Sequence, residues 1–230
     1  MLNLTDGLST TLALKVAERT KDKELEALQN NNIHASAEER FQNEAFDVES
    51  VDDFVDNYNV FSFVMKAMDL EEKIYAKAMI KKILKEDPDD SNSLVNRLSD
   101  PKLKKLVEVM DFKAGGVTNY NTISMQWRGE MVDRYYETQY QNGQSEINEN
   151  LGIALKFKEK AADVTSWYSI LADEDLGEFM RTALNMTDQQ VMLDASNYAV
   201  NIIEKHEKDP LESLQNLRTK SSNLPILPAI

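Results

Sequence analysis

Two histidines are the chain's only imidazoles: His34, in "QNNNIHAS", and His206, in "EKHEKD". Neither has a second histidine three or four residues away, the spacing that sets two ring nitrogens on one helix face. A histidine-based zinc site would therefore need ligands brought from distant parts of the chain. A structural or surface role is the simpler reading, and His206, near the end of a predicted helix, complements the negative end of the helix dipole when protonated. The acidic run "DPDDSN", Asp87 to Asn92, superficially resembles a calcium loop, but its sixth position is Asn92 rather than Gly and its twelfth is Leu98 rather than Glu. A helix stop at Pro88 followed by an Asp or Ser cap accounts for the same letters. The acids of "LADEDL" sit where a helix should begin and complement its dipole. Glu71 and Glu72 are adjacent, hence about 100° apart on a helix, and diverge too far to work together as acid and base. Walker, GxGxxG, GxSxG, HExxH and CxxC motifs are all absent, and so is cysteine. These residues predict no catalytic site, no metal and no cofactor. The alternative is an enzyme or small-ligand protein with a site between helices, around the Tyr/Trp group or His206.

Residues suited to protein contact are easier to find. Trp127, Tyr135, Tyr136 and Tyr140, with Met125 and Met131, fall on one predicted helix, where such a stripe is more often core than ligand box. Tyr135 and Tyr136 are neighbours that point to different faces and are not readily buried together, which makes them candidate partner contacts. The tail "SSNLPILPAI" adds three more, Leu224, Ile226 and Leu227, apolar side chains in a segment with two prolines and no helical period. Lys66, Lys73, Lys77 and Lys81 recur at near-helical spacing. The segment Glu38 to Asp56, with eight acidic residues against Arg40, could fold back on that basic stripe.

The elements that must position these residues are helices. Only seven Gly and five Pro occur in 230 residues, and Leu, Ala, Glu, Lys, Met and Gln abound, so the expected class is all-α, a compact multi-helix bundle. A net charge of −14 repels polyanions and disfavours nucleic acid and anionic membranes as partners. No apolar run reaches the ~20 residues of a membrane span, and no cleavable leader is apparent. Both a cytoplasmic and an exported location remain open.

Three parts are expected along the chain: a weakly ordered helical and acidic region at 1–48, a helical domain at 49–220, and a flexible apolar tail at 221–230. "SVDD", Ser50 to Asp53, reads as a capping box. The phrase Tyr58 to Leu70, "YNVFSFVMKAMDL", is echoed at Tyr168 to Met186: Val60 pairs with Leu176, Phe63 with Phe179, Val64 with Met180 and Ala67 with Ala183. Spacing of i, i+3, i+4 and i+7 makes each an amphipathic helix with an inward Phe. Asp69 and Asn185 would then cap second helices, Leu70 to Lys85 and Thr187 to His206, giving two similar helix-corner-helix units. Asp100 and Pro101 should open another helix, with an exit at Asp111. Asn119 to Asn142 and Ser145 to Ala162 read as two longer helices split by the turn "QNGQS". The predicted core is Phe54, Phe63, Val64, Met68, Ile74, Ala78, Ile83, Leu98, Leu106, Val107, Leu155, Trp167, Leu171, Phe179, Met180 and Leu184.

The segments "SVDDFVDNYNVFSFVMKAMDLEEKIYAKAMIKKIL", "NRLSDPKLKKLVEVMDF", "GIALKFKEKAADVTSWYSILADEDLGEFMRTAL" and "DPLESLQNLRTK" together resemble the bacterial domain-of-unknown-function family 1217, from about Glu49 to Lys220. Proteins of that family are helical, and many are encoded among flagellar genes of alphaproteobacteria. The resemblance implies a flagellum-associated protein and supplies no catalytic or ligand residues; the expected partner is a protein, such as a flagellar component. The asparagine run and the apolar tail depart from the family pattern.

Overall fold

The computed structural model describes residues 4–98, 100–113, 115–161, 170 and 173–184. Ten α-helices are present among them: α1 (Thr10–Gln29), α2 (Asn32–Glu44), α3 (Val51–Asp56), α4 (Tyr58–Ala67), α5 (Lys77–Lys85), α6 (Leu94–Leu98), α7 (Pro101–Met110), α8 (Met125–Ile147), α9 (Glu149–Lys160) and α10 (Glu174–Leu184). The fold is all-α, and the described residues contain no strand beyond one isolated bridge, Lys113 to Thr118. The chain divides into two compact units. One is Asp22–Tyr140; the other combines Leu2–Lys21 with Gln141–Ile230.

In the first unit the caps follow the sequence. Ser50 and Asp53 form the expected capping box at α3. Asn57 caps α4 by accepting from the Val60 N–H at 3.1 Å, and Asp100 caps α7 by accepting from Lys102 and Leu103, with Pro101 at the position where no N–H is needed. Val60, Phe63, Val64 and Ala67 form the buried stripe of α4. Phe63 stacks on Phe41 of α2 (centroids 4.3 Å apart) on one side and on Tyr135 of α8 (4.2 Å) on the other, so one aromatic column ties three helices together. The boundary expected after residue 48 falls inside this unit, because Phe41, Ala45 and Val48 bury their side chains in the same core.

The corner after α4 is built differently from the expectation. Asp69 adopts a left-handed conformation (φ 55°) at the end of α4, where the Leu70 N–H bonds back to the Met65 carbonyl, and its carboxylate takes the Lys102 ammonium at 2.7 Å; the residue before α5 is Ala76. A short 3-10 turn, Glu71–Lys73, follows, and α5 begins only at Lys77. The helix-corner-helix unit is present with a longer corner. Asp111 is also left-handed (φ 48°) and ends α7 as expected.

The second unit repeats the first in its details. Asp173 stands where Asn57 does and accepts from the Leu176 N–H at 3.0 Å. Phe157 of α9 stacks on Phe179 of α10 at 3.8 Å, as Phe41 does on Phe63. The pairs Phe41/Phe157, Ala45/Ala161, Phe54/Ile170, Asn57/Asp173, Val60/Leu176 and Phe63/Phe179 all share one constant separation in the sequence. Ala154, Phe157, Ile170, Leu176 and Phe179 make one core cluster, and Ala13, Ala17 and Leu151 another. Each α2-like helix therefore packs with a long helix distant in the sequence: α2 with α8 in the first unit, α9 with the start of α1 in the second.

The split between the long helices lies elsewhere than expected. α8 starts at Met125 and runs through "QNGQS", because Tyr140, Gln141 and Gln144 are buried around Gly143 and outweigh the glycine's cost of roughly 1 kcal/mol. The break comes at Asn148, whose extended backbone and side chain cap α9. Among predicted core residues Ala78 and Leu98 are exposed, since they project from the outer faces of short helices, and Ile74, Leu155 and Met180 are half-buried. Trp167, Leu171, the Leu184 side chain, Asn185 with its second helix, His206 and the tail 221–230 lie outside the described residues. Truncating Phe63 or Phe179 to Ala should cost about 3–5 kcal/mol in denaturant unfolding. A loss under about 1 kcal/mol, usual for surface positions, would contradict this packing.

Candidate protein-docking surface

Tyr135 and Tyr136 are both buried, which corrects their reading as partner contacts. Their different directions are both satisfied by α2. The Tyr135 hydroxyl and Nδ1 of His34 share a hydrogen bond at 2.9 Å, and the Tyr136 hydroxyl donates to Glu38 at 2.8 Å. Burial, with the nearby Glu71 charge, pushes the Tyr135 hydroxyl up to about 12, so it keeps its proton. Burial, followed by the hydrogen bond to Glu38, also raises Tyr136. His34 is lowered by burial and by the Lys66 charge, which keeps the ring neutral and able to accept. Leu224, Ile226 and Leu227 lie outside the described residues.

The basic stripe and the acidic segment meet in part. Asp52 takes both Lys81 and Lys85, and the Lys77 ammonium donates to the Val55 carbonyl at 2.8 Å. Lys66 turns instead to Glu71, and Lys73 to Glu72 and Asp100. The run 87–92 forms turns in which Asp87 accepts from the Asp89 N–H and Asp90 from the Asn92 N–H, while Glu86 accepts from the Leu94 N–H at the start of α6. No group of three metal-ligating side chains occurs among the described residues.

What stands out is the connection between α7 and α8, whose part from Asn119 onward was expected to be helical. Its polar residues point inward. Asn119, 5% exposed, donates to the Met110 carbonyl at 3.0 Å and accepts from the Asn121 N–H at 2.7 Å. Thr122, fully buried, donates to the Val48 carbonyl at 2.8 Å. Arg128, 4% exposed, donates to the Thr122 carbonyl at 2.9 Å and to Gln42, with its guanidinium 3.7 Å above the Phe46 ring. Trp127 donates to the Val109 carbonyl at 2.9 Å. Gly116 accepts from the Val51 N–H at 2.8 Å. At φ 89° only glycine is at ease there, and a Cβ would come within 2.7 Å of Val51.

Its apolar residues point outward. Val117, Tyr120, Ile123 and Met125 are 64%, 70%, 52% and 82% exposed, and Phe46, across the Thr122 to Val48 bond, is 50% exposed. Single exposed apolar side chains are ordinary, but four within nine residues of a hydrogen-bonded loop make a surface shaped for contact. The signal in "VTNYNTISM" is the alternation of Asn and Thr with large apolar residues, read with its faces inverted.

The family model described as "Protein of unknown function (DUF1217)" matches residues 67–219. The chain belongs to that family. The crystal structure of protein AGR_C_984 from Agrobacterium tumefaciens is similar to this DUF1217 chain, with a TM-score of 0.74 and 26% identity over 94% of this chain and 95% of that one. No curated protein matches it. No described helix of this DUF1217 protein is long and apolar enough to cross a membrane.

The His34 contact fixes a pH dependence. A histidine whose folded-state pKa is lowered binds its proton more readily when unfolded, so its stabilising effect is present above the unfolded value of about 6.5. That effect is lost as pH falls towards the depressed folded value. The wild-type melting temperature should therefore drop more between about pH 7 and pH 5 than that of His34→Gln. Parallel profiles would show that burial beside Lys66 does not hold the imidazole neutral.

Proposed function

We propose that this protein is a non-enzymatic, flagellum-associated accessory or structural component that works by binding another protein through the loop at 115–125. The observation carrying this reading is the loop's construction, with buried Asn119, Thr122 and Arg128 holding a backbone that offers Val117, Tyr120, Ile123 and Met125 to solvent. A preformed loop loses little conformational entropy on binding, which favours recognition by contact. Support for the flagellar setting comes from the family resemblance alone. Within this reading there are two roles, cytoplasmic assembly factor and exported component.

The test is a chromosomal Tyr120→Ser, Ile123→Ser double replacement in the motile bacterium that carries the chain. Both side chains are exposed, so the variant should keep the wild-type melting temperature while losing its co-purified flagellar protein and reducing swimming. If wild-type protein brings down no flagellar component and the replacement leaves swimming intact, the proposal fails. Fractionating cells with and without the flagellar export apparatus separates the two roles.

A further inference from the structure

Resting on the loop as a docking surface, we infer that its partner is a protein segment in which Lys or Arg flanks apolar side chains. The loop's neighbours supply the charge argument. Val48 and Val51 hold the loop through their backbone bonds to Thr122 and Gly116. The residues between and beside them, Asp47, Glu49 and Asp53, are all exposed. Among the described residues neither Asp47 nor Glu49 has an ion-pair partner, whereas Asp52, on the inner side of α3, is neutralised by Lys81 and Lys85.

The cations beside the surface are engaged elsewhere: Lys85, packed against Gly116, pairs with Asp52, and Lys113 pairs with Asp111. Arg128 is buried over Phe46 and bonded inward to Thr122 and Gln42. Exposed Phe46, next to the unpaired Asp47 and close in sequence to Glu49, is thus tied through Arg128 to the loop that exposes Tyr120 and Ile123, on a chain of net charge −14. A second copy of this chain would bring like charges to the same surface, which disfavours self-association there. An acidic or purely apolar segment would leave the carboxylates unmatched, whereas Lys or Arg flanking the apolar contacts would be attracted to them and steered by the net charge.

A random twelve-residue peptide library displayed on phage, selected against the full chain, supplies the probe. Enriched peptides should combine apolar residues with Lys or Arg. Synthesised singly, they should bind about tenfold or more weakly to Tyr120→Ser, Ile123→Ser. They should also lose affinity for Asp47→Asn, Glu49→Gln, and as salt rises. The two readings fail in different ways. Peptides indifferent to the Tyr120/Ile123 replacements would remove the loop as a docking surface. Peptides that need those side chains but are neutral or acidic, or indifferent to the Asp47/Glu49 replacements, would overturn only the basic partner. No enrichment, or a loop-dependent dimer in sedimentation, would also overturn it.

Discussion

The aromatic pair formed by Phe41 and Phe63, and again by Phe157 and Phe179, is the constraint on which the rest of the structure depends. Each pair joins an α2-like helix to the amphipathic helix that carries the second Phe, with rings nearly parallel and about a van der Waals contact apart. In the first unit Tyr135 extends the pair into a column, which brings α8 alongside α2. Once α8 is fixed there, its first turn places Trp127 and Arg128 beneath the α7–α8 connection. The 3-10 turn that follows α2, Ala45–Asp47, places Phe46 and Val48 beside it. The loop is therefore a consequence of the column rather than an independent element.

This arrangement also explains an apparent inversion of the usual rule. Loop residues are expected to be polar outside, but here Asn119 and Thr122 are consumed in satisfying carbonyls at the end of α7 and at Val48. Buried carbonyls left without such donors would cost about 1–3 kcal/mol each. With the polar side chains committed inward, the alternating apolar ones must face water. The exposure has a structural cause, and it leaves a preformed apolar surface.

Much of the fold was legible because short-range chemistry writes it. Ser50 with Asp53, Asn57 and Asp100 with Pro101 cap helices in the expected way, and the Phe63 and Phe179 stripes follow helical spacing. Where tertiary burial overrode local preference, the reading failed. Gly143 sits in a continuous helix because its neighbours are buried. Asp69 turns left-handed to meet Lys102, thirty-three residues away. The burial of Tyr135 and Tyr136 required knowing that α2 returns His34 and Glu38 to both faces of α8. The loop surface was hidden for the same reason, since its inward bonds go to Val48, Val109 and Met110, which no local pattern connects to it.

Residue-resolved amide hydrogen exchange on the full chain tests most directly whether this loop is a fixed surface. The Val51 N–H is bonded to the Gly116 carbonyl, and the Asn121 and Thr122 N–H groups to the Asn119 side chain. The account predicts that these three exchange slowly, approaching the buried amides of α4. Exchange at the rate of an unstructured peptide, with α4 still protected, would mean that the column forms without fixing the loop.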